Sequence, residues 1–412
     1  MIEKTPANAV IGAGGGLLGA ITTVAGGFVA FRPNRIVDGD PVTALQAFGS
    51  AGWVILALWL VAAALALGAE GGSAAAPGSP AWKRIFSAAA RAVPAWARSL
   101  PASAAFLVSL AAAGNAAAVY AAGQSPAART SFGISFYLSL LALFLVVHSA
   151  TAATRGWLPR VAASWVPLVG TILLATFGLL DQLGIVREFA LARSTFVREL
   201  VRHLSYALGA TVAAVVIGVP LGIVSARRRR AEALIMGALN LGQVLPALAF
   251  VGLLMPVVGG LSNRIGILKS MGVSGIGWAP VFVVLLVYAL YPVTRNTLVA
   301  IRQLEASLLD AARGMGMSRL RSLTEVELPL AFPVVLAGIR VALVQSTAGA
   351  VIAAFVGGGG LGAIMFFGLE QTSMDLVLVG VLPIVALALL FDAALRTVER
   401  LAGGSWVAGA RT

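Results

Sequence analysis

The feature that most constrains this chain is a succession of long apolar segments separated by short polar ones. The sequence of 412 residues is 59% hydrophobic and only 11% charged, so a soluble fold of this size would lack the charge needed to cover its surface. The apolar segments hold roughly 17–25 residues each, the helix length that crosses the hydrocarbon core of a bilayer. The sequence therefore predicts an all-α polytopic membrane protein.

These segments predict about ten membrane-spanning helices. Their predicted bounds are Ala9–Phe31, Ala51–Leu67, Pro101–Ala122, Ile134–Ala152, Trp165–Gln182, Leu204–Ser225, Ala233–Met255, Pro280–Leu298, Phe332–Val356 and Leu376–Arg396. Because no small-residue cleavage pattern follows the first apolar core, we expect the first span to be retained rather than removed with a signal peptide. Residues 183–203 are amphipathic and rich in arginine, which favours a stretch lying flat on the membrane surface.

The basic residues between the spans orient the chain. With the N-terminus inside, the inside segments hold roughly twice as many lysines and arginines as the outside segments, as the positive-inside rule requires. We therefore predict a cytoplasmic N-terminus and a cytoplasmic C-terminus. The net charge of +13 then reflects topology and contact with membrane lipid. No basic stripe interleaved with aromatic residues is present, which argues against nucleic-acid binding.

The residue types that carry most enzyme chemistry are scarce. The chain has no cysteine, and its only histidines are His148 and His203, which excludes a thiolate centre and a multi-histidine metal site. No Gly-x4-Gly-Lys-Ser/Thr sequence occurs, and the glycine run at 357–362 follows a predicted membrane span rather than a strand. We expect no catalytic centre, no metal, no bound cofactor and no ATP binding by this chain.

The chain divides near residue 190. Residues 1–190 carry five spans rich in alanine and leucine, with a small-residue linker at 69–81. Residues 191–402 carry five spans with dense glycine and proline, and residues 403–412 are expected to form a cytoplasmic tail. No internal repeat relates the two halves, which weighs against a secondary transporter built from inverted repeats.

A polar segment between the eighth and ninth predicted spans, residues 305–333, is too polar to cross the membrane. Apolar side chains recur in its first part at helical spacing, at Leu304, Leu308, Ala312 and Met315. This pattern predicts a short helix, which Gly314 and Gly316 are expected to end or bend. A short helix held between two spans is suited to docking in a groove of a soluble partner, although an ordinary surface loop would show the same pattern.

This segment resembles the EAA signature of ABC importer permeases. Asp310-Ala311-Ala312 is followed after three residues by Gly316, after nine more by Val326, and then by Leu328-Pro329. The spacing is that of the signature, with Asp in place of Glu and Val in place of Ile. The resemblance implies that this loop is the coupling helix that sits in a cleft of an ATPase subunit. The coupling residues it implies are Glu305, Asp310, Ala311, Ala312, Gly314, Gly316, Val326, Leu328 and Pro329.

Roughly half of the chain is similar to the glycine betaine, carnitine and choline subgroup of these permeases. The segments that carry this likeness are 200–230, 240–260, 288–318 and 355–366. The first 190 residues are similar to long osmoprotectant permeases with extra N-terminal spans. The resemblance implies a type I ABC importer permease core in the last five spans, in a bacterial inner membrane. It also implies ABC ATPase subunits, a separate solute-binding protein and a second permease copy, identical or different, as partners.

The substrate class and the driving force keep alternatives open. The subgroup resemblance implies glycine betaine, choline or a related osmoprotectant, while an ABC permease for another small solute such as an amino acid would show the same coupling loop. An ion-coupled secondary transporter would need functional ionisable groups at mid-membrane, which are nearly absent. A membrane-embedded enzyme would need a catalytic cluster, and none is visible.

Helix-breaking and polar residues inside the C-terminal spans are candidates for a gate or a substrate pathway. Pro246 and Pro292 are expected to kink their helices and to free backbone carbonyls. Rows of small residues in the sixth and ninth spans predict close helix packing. The full set of candidates is Asn240, Gln243, Pro246, Pro292, Ser346, Gly358 and Gly360.

Two ionisable residues, Arg340 and Asp392, lie within predicted spans near their inner ends. An intramembrane charge is a functional candidate by default. Here a structural role is favoured, because the Arg340 side chain can extend to the interface and Asp392 can pair with Arg396 one helical turn away.

Overall fold

A computed structural model describes residues 6–35, 37–68 and 81–409 of the chain. The predicted linker at 69–81 lies, except for its last residue, outside the described residues. In the described part, ten helices are long and apolar enough to cross a membrane, which confirms the predicted all-α polytopic class. The chain forms two compact units. Unit 1 is Met1–Leu191 with Gln371–Asp375, and unit 2 is Ala192–Glu370 with Leu376–Thr412.

Unit 1 combines helices with a small sheet. Its helices are α1 (Pro6–Val24), α2 (Ala44–Phe48), α3 (Ser50–Gly68), α4 (Ala81–Ala92), α5 (Leu100–Ala122), α6 (Ile134–Ala153), α7 (Trp157–Thr176) and the start of α8 (Gly184–Arg227). Its strands are β1 (Val29–Arg32), β2 (Asp40–Val42) and β3 (Arg129–Phe132). The sheet is antiparallel in the order β2-β1-β3, and Val29 pairs with Val42 on one side and Phe132 on the other.

The core of unit 1 is aromatic at the sheet and rich in alanine between the helices. Phe28 is 1% exposed and meets Phe136 edge to face at 5.9 Å between ring centroids. Trp59 of α3 is equally buried and covers Gly19 of α1, where any side chain would collide with the indole ring. Small residues therefore set the close approach of α1 and α3.

Unit 2 consists of helices only in the described residues. After α8 come α9 (Arg229–Val244), α10 (Ala247–Arg264), α11 (Gly266–Ser270), α12 (Trp278–Arg302), α13 (Ala306–Gly314), α14 (Arg319–Ser322), α15 (Leu328–Gly349), α16 (Leu361–Glu370) and α17 (Met374–Gly409). A π-helical turn at Leu323–Glu327 leads into α15, and a 3₁₀ segment at Ala350–Val356 follows it. Helix α17 continues to Gly409, so the described part of residues 403–412 is helical, and its assignment as a cytoplasmic tail stays a prediction.

Two predicted spans have different bounds in unit 1. The predicted span Ala9–Phe31 is wrong at its end, because α1 ends at Val24 and the following residues enter β1. Gly26, with φ of 73°, breaks the helix there. The predicted span Trp165–Gln182 is shifted, since the fifth long helix of this unit is α7. Glycines with positive φ lie just before and just after that helix.

Two further expectations are corrected along α8 and α9. Residues 184–203 form the first part of α8, a continuous helix of 44 residues, so they are not a separate segment. The predicted span Ala233–Met255 is broken, because α9 ends at Val244 and α10 begins at Ala247. Leu245 before Pro246 is extended, with ψ of 129°. A proline disfavours helical conformation in the residue before it, so the predicted kink is a full break.

The row of small residues predicted in the ninth span faces its neighbour α12. At Gly338 of α15, a Cβ atom would lie 2.6 Å from the Cβ of Asn296 and 2.8 Å from the carbonyl oxygen of Pro292. Ala342 and Ser346, one and two turns further along, are also buried. The backbones of α12 and α15 therefore approach closely along this row.

We expect Gly338→Ala to lower the free energy of unfolding of the purified protein by about 1–3 kcal/mol, because the added methyl group meets backbone atoms that cannot move aside. Melting of the purified protein in detergent measures this effect. Gly237→Ala in the interior of α9 is the matched control, since no heavy atom lies within 4 Å of its new Cβ. The control should be neutral or stabilising by up to about 1 kcal/mol. Equal behaviour of the two variants would contradict close packing at Gly338.

Candidate functional site

The segment between α12 and α15 begins with the helix that the sequence predicted. Helix α13 starts after Glu305, which has extended backbone with ψ of 134°, and it ends at Gly314. Gly316 has φ of 76°, a conformation that suits glycine, and its N–H donates to the carbonyl of Arg313 at 2.9 Å. The predicted short helix and its glycine end are confirmed.

One side chain anchors α13, and most of the others are exposed. Ala312 is 1% exposed. Asp310 and Arg313 form a solvent-exposed ion pair at 3.1 Å. Leu308 and Met315 are 43% and 69% exposed, and helical spacing puts both on one flank of the helix together with Ala311. This exposed apolar flank, Leu308, Ala311 and Met315, is called the docking flank below.

The second half of the segment returns the chain to the membrane through a continuous helical path. Helix α14 leads directly into the π-helical turn that contains Val326, and α15 starts at Leu328. Pro329 lies at the start of α15, directly after the π-helical turn in which the N–H of Leu328 donates to the carbonyl of Leu323. The coupling residues implied by the resemblance thus lie on consecutive helical elements joined to α12 and α15.

A buried carboxylate fastens this segment to the end of α8. Glu327 accepts hydrogen bonds from Nη2 of Arg227 at 3.1 Å and from the hydroxyl of Ser322 at 3.3 Å. Nearby in unit 2, the guanidinium of Arg302 on α12 binds both carboxylate oxygens of Glu232 on α9. This hydrogen bond lowers the pKa of Glu232 below its ordinary value. One ion pair therefore ties the end of α8 to the π-helical turn, and another ties the end of α12 to the start of α9.

The pathway candidates of α9 and α10 lie in different environments. Gln243 is half-buried, donates to the carbonyl of Tyr288 at 2.8 Å and accepts from Nε2 of Gln345 at 3.4 Å. Asn240 and Pro246 are exposed and do not join this group. The structure therefore assembles a neutral polar group from α9, α12 and α15, in which Gln243 is the predicted member.

The remaining candidates are buried. Pro292 lies inside α12, which stays a single helix, and its carbonyl accepts a hydrogen bond from Asn296 at 2.8 Å. Ser346 is 2% exposed. Gly358 and Gly360 are buried in the glycine loop, residues 357–360, which joins the 3₁₀ segment to α16.

Two residues of α8 that the sequence reasoning did not select, Glu199 and Tyr206, hydrogen-bond to the glycine loop, and a third, His203, contacts α15. Glu199 accepts from the N–H of Gly360 at 2.7 Å. The hydroxyl of Tyr206 donates to the carbonyl of Gly358 at 2.6 Å, and Nε2 of buried His203 lies 2.9 Å from the carbonyl of Thr347. Their spacing of three to four residues puts them on one helix face. That spacing is visible in the sequence, but it does not identify a site, because only the structure shows which loop this helix face contacts.

We expect Glu199→Ala to loosen the glycine loop, because the N–H of Gly360 and the guanidinium of Arg202 would both lose the carboxylate. A buried donor left without a partner costs about 1–3 kcal/mol. Limited proteolysis of the purified protein should show faster cleavage within residues 357–360. Glu370→Ala, which removes an exposed acid at the end of α16, is the control and should leave the cleavage rate unchanged. Equal rates in both variants would contradict the role of Glu199.

The structure confirms the expected pair of Asp392 with Arg396 and adds Arg340 to it. Asp392 accepts from Nη2 of Arg396 at 2.9 Å and from Nη1 of Arg340 at 3.4 Å. Nε of Arg340 also lies 3.7 Å from a carboxylate oxygen of Glu399. These charges neutralise one another, which supports a structural role.

Unit 1 also contains a buried ion cluster, which the sequence did not reveal. Glu188 at the start of α8 is 1% exposed and accepts from Nε of Arg129 on β3 at 2.9 Å. It also accepts from Nη2 of Arg35 at 2.6 Å. The hydroxyl of Ser131 donates to Asp375 at 2.6 Å. The members of this cluster come from distant parts of the sequence, so no local motif marks them.

The comparisons with known proteins divide the chain in a similar place. The family described as "Binding-protein-dependent transport system inner membrane component" matches residues 218–403. The family described as "ABC transporter permease YehY, N-terminal domain" matches residues 15–186.

Individual relatives share the C-terminal part. The choline transport system permease protein OpuBB of Bacillus subtilis (strain 168) is 34% identical over 198 residues, covering 48% of this chain and 84% of the relative. The osmoprotectant import permease protein OsmW of Salmonella typhimurium is 34% identical over 191 residues, covering 46% and 84%.

Among solved structures, inward-facing conformations of the MetNI methionine ABC transporter match at 21% identity with a TM-score of 0.43. That match covers 50% of this chain and 95% of the solved chain. The two family matches and the relatives show a multi-pass transport subunit that hydrolyses no ATP itself, since ATP hydrolysis takes place in a separate ATPase. The chain therefore belongs to the osmoprotectant family of ABC importer permeases.

Proposed function

We propose that this permease takes up a quaternary-ammonium osmolyte such as glycine betaine, choline or carnitine. The names of its relatives support this substrate class. The neutral polar group formed by the amides of Gln243 and Gln345 and the backbone carbonyl of Tyr288 is compatible with such a substrate. A substrate with a fixed positive charge can be accommodated by amide dipoles and aromatic rings without being held by a full counter-charge.

The ATPase subunit docks on α13. The observation that carries this assignment is the docking flank, an exposed apolar surface on a helix anchored through Ala312. Exposed apolar surface next to a membrane span needs a partner to cover it. Docking requires α13 to face the cytoplasm, and the N-terminus and C-terminus then face the cytoplasm as well.

Motion passes from α13 to the membrane helices through covalent and ionic links. Helix α13 is joined to α12 through a short turn and to α15 through α14 and the π-helical turn. The ion pair of Glu327 with Arg227 extends the connection to α8. Closing of the ATPases would move α13, and the attached helices would exchange inward-open and outward-open arrangements. A second permease copy completes the pathway, and a solute-binding protein delivers substrate from outside.

Reconstituted transport tests this function. The full chain is placed in proteoliposomes with its ATPase and its binding protein, and uptake of labelled glycine betaine and choline is measured with and without ATP. We expect ATP-dependent uptake that an excess of unlabelled osmolyte competes away. If an amino acid competes and the osmolytes do not, the substrate is an amino acid and the proposed substrate class is wrong. Uptake driven by an ion gradient without ATP would contradict the importer itself.

A further inference from the structure

Unit 1 contains an open cavity of about 880 Å³ among α1, α6 and α7. Its polar lining comes from Asn8, His148, Thr151, Arg160 and Ser164. Its apolar lining includes Ala152, Val161 and the indole ring of Trp165. The cavity is therefore amphipathic, with a basic group and a large apolar wall facing the same space.

The cavity lies at the end of unit 1 where the described charged side chains are all basic. Helix α1 begins there, α6 ends there and α7 begins there. The described acidic residues of unit 1 lie near the sheet or the start of α8, at Asp38, Asp40, Asp181, Glu188 and Asp375. Helices α6 and α7 have 20 residues each, so these acids lie roughly 30 Å away. Among the described residues of unit 1, a ligand in the cavity therefore meets basic side chains and no nearby acidic one.

Helix α7 is loosely packed against the rest of unit 1. Ala163 is its only buried residue, and Trp165 is 54% exposed. The other long helices of unit 1 bury far more of their length. The space beside α7 is thus left for molecules of the membrane, and tryptophan is a residue that favours the depth of lipid headgroups.

We propose that this cavity binds the phosphate-bearing headgroup of an anionic phospholipid. The guanidinium of Arg160 takes the phosphate, and its position is fixed because Nε donates to the carbonyl of Thr154 at 2.7 Å. The imidazole of His148, stacked on Phe144 at 5.8 Å between ring centroids, supplies a second polar contact. Val161 and Trp165 cover the glycerol and the upper acyl chains.

A lipid fits this cavity better than a free phosphate ion. The volume of about 880 Å³ far exceeds an inorganic phosphate, and the apolar wall would gain nothing from one. Basic clefts between transmembrane helices favour anionic headgroups, because the cytoplasmic leaflet carries a negative surface potential. The lining residues belong to unit 1, whereas α13 and Gln243 belong to unit 2, so the test of this site needs no transport.

The test titrates the purified full chain in an uncharged detergent with dioctanoyl phosphatidylglycerol and follows the melting temperature. Dioctanoyl phosphatidylcholine has the same chains without net charge, and inorganic phosphate has the charge without chains. We expect a saturable upward shift with phosphatidylglycerol and little shift with the other two. Equal shifts with phosphatidylcholine, or a full shift with inorganic phosphate, would overturn the proposal.

Three variants locate the site. Arg160→Gln is expected to weaken the apparent affinity for phosphatidylglycerol about tenfold, which corresponds to about 1.4 kcal/mol. Arg155→Gln removes an exposed charge at the same end of the unit outside the cavity, and its affinity should stay within about twofold of the unmodified chain. Ala152→Phe keeps every charge but fills the cavity, so it should also weaken binding. Equal losses in Arg155→Gln and Arg160→Gln, or full binding by Ala152→Phe, would contradict this location.

Discussion

Replacing Glu188 by alanine is expected to lower the free energy of unfolding of unit 1 by about 3–5 kcal/mol, because it leaves a buried cation without its partner. Arg129 has a side chain only 7% exposed, and its Nε donates to Glu188. The side chain of Arg35 is 32% exposed, so water can replace the lost carboxylate as its partner. Most of the loss in stability therefore comes from Arg129. Thermal melting of the purified protein, with proteolysis of unit 1 as a second readout, measures the loss.

Two variants define the cause of that loss. Glu188→Gln keeps the shape and one acceptor but removes the charge, so it should fall between the alanine variant and the unmodified chain. Asp38→Asn removes an exposed acid at the same end of unit 1 and should change the free energy of unfolding by less than about 0.5 kcal/mol. If the Glu188→Ala variant has the same melting temperature as the Asp38→Asn control, Glu188 does not stabilise unit 1.

The double variant Leu308→Glu and Met315→Glu is expected to weaken binding of the ATPase by at least about 100-fold. Covering an exposed Leu or Met side chain contributes roughly 1.5–3 kcal/mol, and a carboxylate buried in its place adds a desolvation cost. Each 1.4 kcal/mol is a factor of ten in affinity. Co-purification and a binding titration with the ATPase measure the effect, while the melting temperature verifies that the permease is folded.

Ala306→Glu is the matched control for the docking flank. It places the same charge in the first turn of α13 but on the opposite flank, where a carboxylate favours the helix end. Binding of the ATPase should then change by less than about threefold. Retained binding in the double variant, with ATP-dependent uptake intact, would mean that the ATPase docks elsewhere, and the role of Asp310–Pro329 in coupling would be wrong.

Local patterns predicted those parts of the molecule that depend on neighbours along the chain. Segment hydropathy located most of the membrane helices, because a helix satisfies its own backbone hydrogen bonds within the segment. Helix α13 was predicted because its apolar spacing and its glycines are local signals. Its role as the coupling helix rests on the resemblance and stays a prediction.

Other features required contacts across long stretches of sequence. Strand β1 pairs with β3, which lies about a hundred residues later, and strands of three or four residues are too short to show an alternating pattern. The continuity of α8 through residues 184–203 was also missed. Its polar residues suggested a surface stretch, whereas Glu188 and Glu199 are in fact buried and paired.

The sequence by itself determined the class of this protein, the number and approximate places of its spans, and the short helix between α12 and α15. Tertiary structure alone decided which charges are buried together, such as Glu188 with Arg129 and Glu199 with Gly360. The physical reason is the distance along the sequence over which each effect acts. Hydropathy and helix propensity act over a few residues, whereas a buried carboxylate is stable only where folding delivers a donor to it, and these donors lie 59 and 161 residues away.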